Sequence, residues 1–229
     1  MTANESYRVL CRELEKISES PSFEAFELLA GCAGLSRTQV LTGSFELSGE
    51  QVQTIDAALL RRLNGEPLQY ILGEWTFYGR PFSVGEGVLI PRADTETLVE
   101  AALSLASAVE KPHIADLCAG SGCIAVTLAR ELSGSSVDAF EKSGEAYSYL
   151  TRNIARHGAA VGFRLDAVVK TLVAGRGVGI RHPGAVGGET VGHMRTGACD
   201  AGERGGRRRS QGQYQYAEPD IHSVKITFF

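Results

Sequence analysis

The residues with the clearest chemical potential lie in one decapeptide, Asp116-Leu117-Cys118-Ala119-Gly120-Ser121-Gly122-Cys123-Ile124-Ala125. Gly120 and Gly122 let a backbone approach a bound molecule closely, and a helix starting just after them presents unpaired N–H groups. Glu141 follows Gly120 by 21 residues, at the end of the next apolar run. A carboxylate there is placed to accept both hydroxyl hydrogens of a ribose. Gly-x-Gly-x-x-Ala followed by an acid about twenty residues on also describes a dinucleotide site. Asp116, ahead of the loop, favours S-adenosyl-L-methionine over a nicotinamide cofactor. The methionine amino group is cationic and wants such a partner, whereas a pyrophosphate would be repelled. The plain alternative is a tight strand-to-helix turn, with Glu141 a solvated strand end.

Other side chains carry less. Five cysteines (Cys11, Cys32, Cys118, Cys123, Cys199) are scattered without a Cys-x-x-Cys pair, which argues against a disulfide framework or a zinc site. Cys118 and Cys123 read as small buried residues rather than a metal pair. Arg207-Arg208-Arg209 lacks interleaved aromatics and reads as solvated charge. His157 and His182 have no carboxylate at a triad-like spacing. Trp75, Phe77 and Phe82 read as hairpin core, and Arg92 and Glu96 either as interdomain ion-pair partners or as the frame of a cofactor entrance.

The elements that must position the loop follow from periodicity. Apolar residues at 7, 10, 14 and 17 mark one helix face. A second helix is capped at Ser20 or Ser22, a short apolar piece spans Leu35 to Leu41, and Ser48-Gly49-Glu50-Gln51 opens a helix through Leu63. Asn64-Gly65-Glu66-Pro67 stops it. Glu74 to Val84 is aromatic and β-branched, broken at Gly79-Arg80-Pro81, and reads as a β-hairpin. A helix from Thr95 through Leu105 comes next. Then follow a strand at Ile114–Leu117, the glycine turn, a helix from Ile124 to Leu132, a strand at Val137–Glu141 and a helix from Glu145 to Arg156. Such alternation implies a parallel sheet covered by helices. A further strand, Phe163 to Val169, pairs at one edge.

Composition is that of a globular protein, with 43% hydrophobic and 22% charged residues. No apolar run is long enough to span a membrane, and the charged N-terminus is unlike a signal peptide, so a cytoplasmic location is expected. Residues 1–160 hold 13 Lys+Arg against 21 Asp+Glu, a balance of -8, and residues 161–229 hold 10 against 6, a balance of +4. All 22 leucines precede residue 173, and residues 175–219 contain 12 glycines but no Leu or Phe. That stretch buries no useful apolar face, so the sheet is expected to lack its remaining strands and this part to be disordered and to weaken cofactor binding. A Gly/Arg-rich extension and a lost reading frame both account for it; the second is favoured because the sheet is interrupted mid-fold.

Gln69-Tyr70-Ile71-Leu72-Gly73, Phe77-Tyr78-Gly79, Phe82-Ser83-Val84 and Val88-Leu89-Ile90-Pro91-Arg92-Ala93-Asp94-Thr95-Glu96 closely resemble the PrmC/HemK family over residues 5–157. The resemblance implies an S-adenosylmethionine-dependent methyltransferase that modifies the glutamine side-chain N5 in the Gly-Gly-Gln motif of class I peptide chain release factors. It implies a helical release-factor-binding domain (1–73), a β-hairpin linker (74–88) and the N-terminal half of a Rossmann-like α/β methyltransferase domain (89–170), followed by the atypical tail (171–229). The implied cofactor residues are Asp116, Cys118, Ala119, Gly120, Ser121, Gly122 and Glu141. Cys118 and Ala119 stand where the family has Gly and Thr, and cysteine is strained if position 118 needs positive φ. Asn153 matches a family position, with a helix-surface or capping role as the plain reading. Asp166 is a candidate adenine contact.

The family's Asn-Pro-Pro-Tyr, whose asparagine and backbone carbonyl hold the substrate amide nitrogen, does not occur in the 229 residues. A non-catalytic release-factor or cofactor-binding protein, or an inactive remnant, is therefore carried beside the enzyme. DNA adenine methylation ranks below both, since the acidic first 160 residues lack clustered phosphate-binding cations. A monomer is expected, with neither membrane nor direct nucleic-acid partners.

Overall fold

The computed structural model describes residues 1–43, 45–165 and the backbone of 225–228. Five helices come first: α1 (Ala3–Leu14), α2 (Pro21–Ala33), α3 (Arg37–Thr42), α4 (Gly49–Leu63) and α5 (Leu68–Leu72). Three of them open on capping boxes, Thr2 with Glu5, Ser36 with Gln39 and Ser48 with Gln51. In each, the hydroxyl and the long side chain satisfy two N–H groups that the first turn leaves unpaired. α2 starts at Ser20 with Pro21 in its first turn and no side-chain cap. Leu10, Leu14, Leu28, Leu29, Val40 and Ile55 form the centre of the helical core. Ile17 falls beyond the end of α1 and is exposed. The half-buried Arg62 guanidinium donates to both Glu24 oxygens, at 2.7 and 3.1 Å, and ties α4 to α2. Burial is the largest single influence on the Glu24 carboxyl and raises it, but the hydrogen bonds from Arg62 and Ser18 and the Arg62 charge together hold it below its usual range.

The hairpin pairs β1 (Glu74–Phe77) with β2 (Arg80–Ser83), Phe77 opposite Arg80. Its turn is Tyr78-Gly79, both at positive φ (50° and 69°), the two-residue geometry that suits a right-twisted ribbon. The break expected at Gly79-Arg80-Pro81 is thus one residue early, because Pro81 is accommodated within β2. A two-stranded ribbon has only edges, so a residue without an N–H need not interrupt a ladder. The Tyr78 N–H donates to Glu96 Oε1 at 2.7 Å, which stabilises the left-handed tyrosine from outside the hairpin. Phe77 and Phe82 are buried edge to face against each other.

The α/β region runs α6 (Asp94–Ala106), β3 (His113–Leu117), α7 (Cys123–Glu131), β4 (Ser136–Glu141), α8 (Gly144–His157) and β5 (Val161–Leu165), and β6 is Lys225–Phe228. The four strands form one parallel sheet in the order β5-β4-β3-β6. The fold class read from the sequence, a helical region, a hairpin and an α/β region on a parallel sheet, is the one observed. One correction concerns the end of the chain. Lys225–Phe228 pairs in register with His113–Asp116, so a strand does occupy the inner side of β3, where none was expected. The glycine-rich composition of residues 175–219 does not extend to the apolar, β-branched Ile226-Thr227-Phe228, which suit a strand. Residues 166–169 of the expected edge strand, Asp166, His182 and Arg207 to Arg209 lie outside the described residues.

Candidate cofactor site

Parallel strands β3 and β4 end side by side, Leu117 opposite Phe140, so the next residues of each chain segment emerge at one sheet edge. Strand order reverses at β3, with β4 on one side and β6 on the other. Ligands in open parallel sheets sit beyond the carboxyl ends of strands at such a reversal. The structure brings all seven residues Asp116, Cys118, Ala119, Gly120, Ser121, Gly122 and Glu141 to this place. The Ala119 N–H donates to the Phe140 carbonyl at 3.0 Å and the Gly122 N–H to the Ala119 carbonyl at 2.7 Å, which closes the loop into a tight turn ahead of α7.

Asp116 and Glu141 have different surroundings. Asp116 is fully enclosed, and its Oδ2 accepts the Ala125 N–H at 3.1 Å, in the first turn of α7. Burial pushes its carboxyl up to about 7; the Ala125 N–H opposes this and the neighbouring Glu141 charge adds to it. Glu141 accepts three backbone N–H groups, from Gly120 at 2.8 Å on Oε2 and from Lys142 and Ser143 at 2.7 and 2.8 Å on Oε1. A carboxylate has about four lone-pair sites, so this one accepts one more hydrogen without rearranging, where the sequence suggested two.

Cys118 has φ 62° and is exposed, so the strain anticipated for a cysteine at this position is present. Glycine there is expected to stabilise the chain by about 0.5–1 kcal/mol, the relieved left-handed strain less the added freedom of the unfolded backbone. Urea unfolding of Cys118→Gly checks this, and a variant less stable than its parent refutes it. Burial, with help from Glu141 and Asp116, raises the Cys118 thiol, and burial drives that of enclosed Cys123 up to about 12. Neither thiol is poised as a nucleophile. At Gly120 (φ 56°) a Cβ would meet, among the described residues, only the Cys118 carbonyl at 3.9 Å and Val88 Cγ2 at 4.0 Å. Among the described residues, the space in front of Gly120 is therefore open. Two carboxylates, one enclosed and one bound by three backbone N–H groups, beside the glycine loop form a donor and acceptor set that fits a ligand with a cationic amine and a ribose.

The helical region is decided by its sequence. Residues 6–73 match the family described as the PrmC N-terminal domain. A release factor glutamine methyltransferase of Koribacter versatilis (strain Ellin345) is 38% identical over 178 residues, covering 77% of this chain and 64% of that protein. One of Neisseria gonorrhoeae (strain ATCC 700825 / FA 1090) is 45% identical over 148 residues, 64% of this chain and 54% of that protein. The chain thus spans between about half and two thirds of these relatives. Among solved structures, coclaurine N-methyltransferase bound to N-methylheliamine and SAH aligns with 73% of this chain and 45% of its own, at 12% identity and TM-score 0.31, too distant to carry an argument about the site.

The helical region reaches the loop through the linker. Tyr70 of α5 donates its hydroxyl to the Val88 carbonyl at 2.6 Å, and Val88 Cγ2 lies 4.0 Å from where a Cβ on Gly120 would stand. Helix α5 is absent from the sequence pattern because Pro67 marks a stop there, whereas in the fold it opens the next helix. Asn153, for which the sequence leaves a helix-surface or capping role beside a functional one, is fully buried, so the surface role falls. Its partners lie 70 and 32 residues away, a distance at which no local pattern announces them. Arg92 is exposed, while Glu96 serves the hairpin turn rather than an ion pair.

Proposed function

We propose that this chain binds S-adenosyl-L-methionine at Asp116, Cys118 to Gly122 and Glu141, and belongs to the reaction for which its relatives are named, methyl transfer to a glutamine side-chain nitrogen of a release factor. The observation that carries the reading is the pairing of a buried and a backbone-bound carboxylate across a glycine loop at the ends of β3 and β4. The cofactor supplies an electrophilic methyl on a sulfonium. Asp116 in its ionised form balances the cationic amino group, and Glu141 accepts a ribose hydroxyl with its remaining lone pair. The loop N–H and C=O groups fix the orientation. An amide nitrogen is a poor nucleophile, so its placement in line with the methyl is most of the catalysis. The helical region would hold the release factor while the α/β region receives the glutamine.

Incubation with labelled S-adenosylmethionine and a class I release factor is expected to label the Gly-Gly-Gln peptide. Absence of label on that peptide refutes activity for this chain. A second reading, binding without transfer, is favoured by one observation: the tetrapeptide Asn-Pro-Pro-Tyr is absent from the sequence. It predicts cofactor or release-factor binding by calorimetry with no label transferred.

A further inference from the structure

Asn153 sits on α8 with no exposed surface. An enclosed amide is costly unless its hydrogen bonds are made, and a leucine of similar size would fill the same space without that condition. Three bonds are made. Oδ1 accepts the Ser83 N–H at 2.7 Å, and Nδ2 donates to the Ser83 carbonyl at 3.0 Å and to the Ser121 carbonyl at 2.8 Å. The side chain thus pairs with both backbone groups of the last residue of β2 as a neighbouring strand would, and its remaining N–H grips the glycine loop. Ser121 immediately precedes Gly122, whose φ of 79° turns the chain into α7. Leu150, one turn earlier on α8, packs directly against Gly122. Helix α8 therefore holds the loop by an apolar and a polar contact three residues apart.

We propose that Asn153 is the positioning residue of the cofactor loop, clamping the Ser121–Gly122 backbone to the end of the hairpin so that hairpin seating and cradle shape change together. This rests on the cofactor reading above, and its test separates the two. Asn153→Asp keeps the size and the acceptor toward the Ser83 N–H, but turns the donors toward two carbonyls into a charge that faces them. At pH 8 the variant is expected to bind S-adenosylmethionine at least about tenfold more weakly, and amides 119–123 to exchange at least about tenfold faster. Amides of the helical region should be unchanged. Burial at this enclosed position raises the aspartate carboxyl, so acidification protonates it and returns one donor; protection of the loop recovers as pH falls, whereas Asn153→Leu shows no such recovery.

Loop exchange within twofold of the parent at pH 8 overturns the proposal. So does protection lost evenly across the α/β region, or a variant unfolded at every pH, since either assigns Asn153 to bulk stability. A parent chain that binds no S-adenosylmethionine sinks the cofactor reading alone, and the exchange measurement still decides the role of Asn153.

Discussion

Gly122→Ala is expected to destabilise the α/β region by about 2–4 kcal/mol, while Gly158→Ala, in the same region, costs about 1 kcal/mol. Both glycines have positive φ, 79° and 55°, so both substitutions carry the left-handed strain of an L-residue. They differ in surroundings. A Cβ on Gly122 would lie 2.5 Å from Leu150 Cδ1 and 3.8 Å from the Leu150 Cα, whereas among the described residues one on Gly158 meets nothing within 4 Å. Leu150 is itself fully buried, so relief requires α8 to shift, and α8 carries Asn153. Against a total stability of about 5–15 kcal/mol the larger loss is serious. Urea unfolding followed by a probe in the α/β region measures both. Equal midpoints for the two variants would show that Leu150 yields freely and that packing behind the loop is loose.

The second large effect is a pH dependence of cofactor affinity. With its carboxyl raised to about 7 by burial, Asp116 is largely protonated at pH 6, and only the ionised form can balance a cationic amine. Affinity for S-adenosylmethionine should rise roughly tenfold per pH unit below about pH 7 and level off above it. Near pH 7 binding should release a proton, seen as a buffer-dependent heat in calorimetry. The stability sign is opposite to that of a salt-bridged aspartate. The folded chain holds a proton that the unfolded chain gives up near its ordinary value, about 4. Asp116 therefore favours folding most below about pH 4, and that contribution is lost as pH rises through about 7. Asp116→Asn should abolish both trends. A flat affinity between pH 5.5 and 8 for the unsubstituted chain would refute this assignment.

Much of the site was legible because its signals are local. Asp116, Gly120 and Gly122 lie within seven consecutive residues, and the acid closing the next strand follows from period and length. The capping box at Ser48 is a four-residue pattern, and the strain at Cys118 was anticipated by asking what a glycine position demands of its backbone. What escaped reading depends on distant or contextual partners. Asn153 meets Ser83 and Ser121 only once the fold exists. Pro81 reads as a breaker until its strand is known to lie in a two-stranded ribbon. The protonation of Asp116 follows from enclosure, to which sequence spacing is blind.

Tyr70, Val88 and the hairpin between them have a practical meaning for recombination among relatives. Trp75 packs with the helical core, while Phe77 and Phe82 belong to the core of the α/β region. Arg80 and Arg156 bind Glu131 and Glu74 across the same junction, at 2.6 and 3.0 Å. A crossover placed after residue 73 would join a foreign Tyr70 and helical core to a native Trp75 and Val88. A crossover beyond Val88 instead parts Phe77, Phe82 and Ser83 from their α/β partners, so the hairpin and both of its flanks are interchangeable only together, and a chimera cut on either side should inherit a seam.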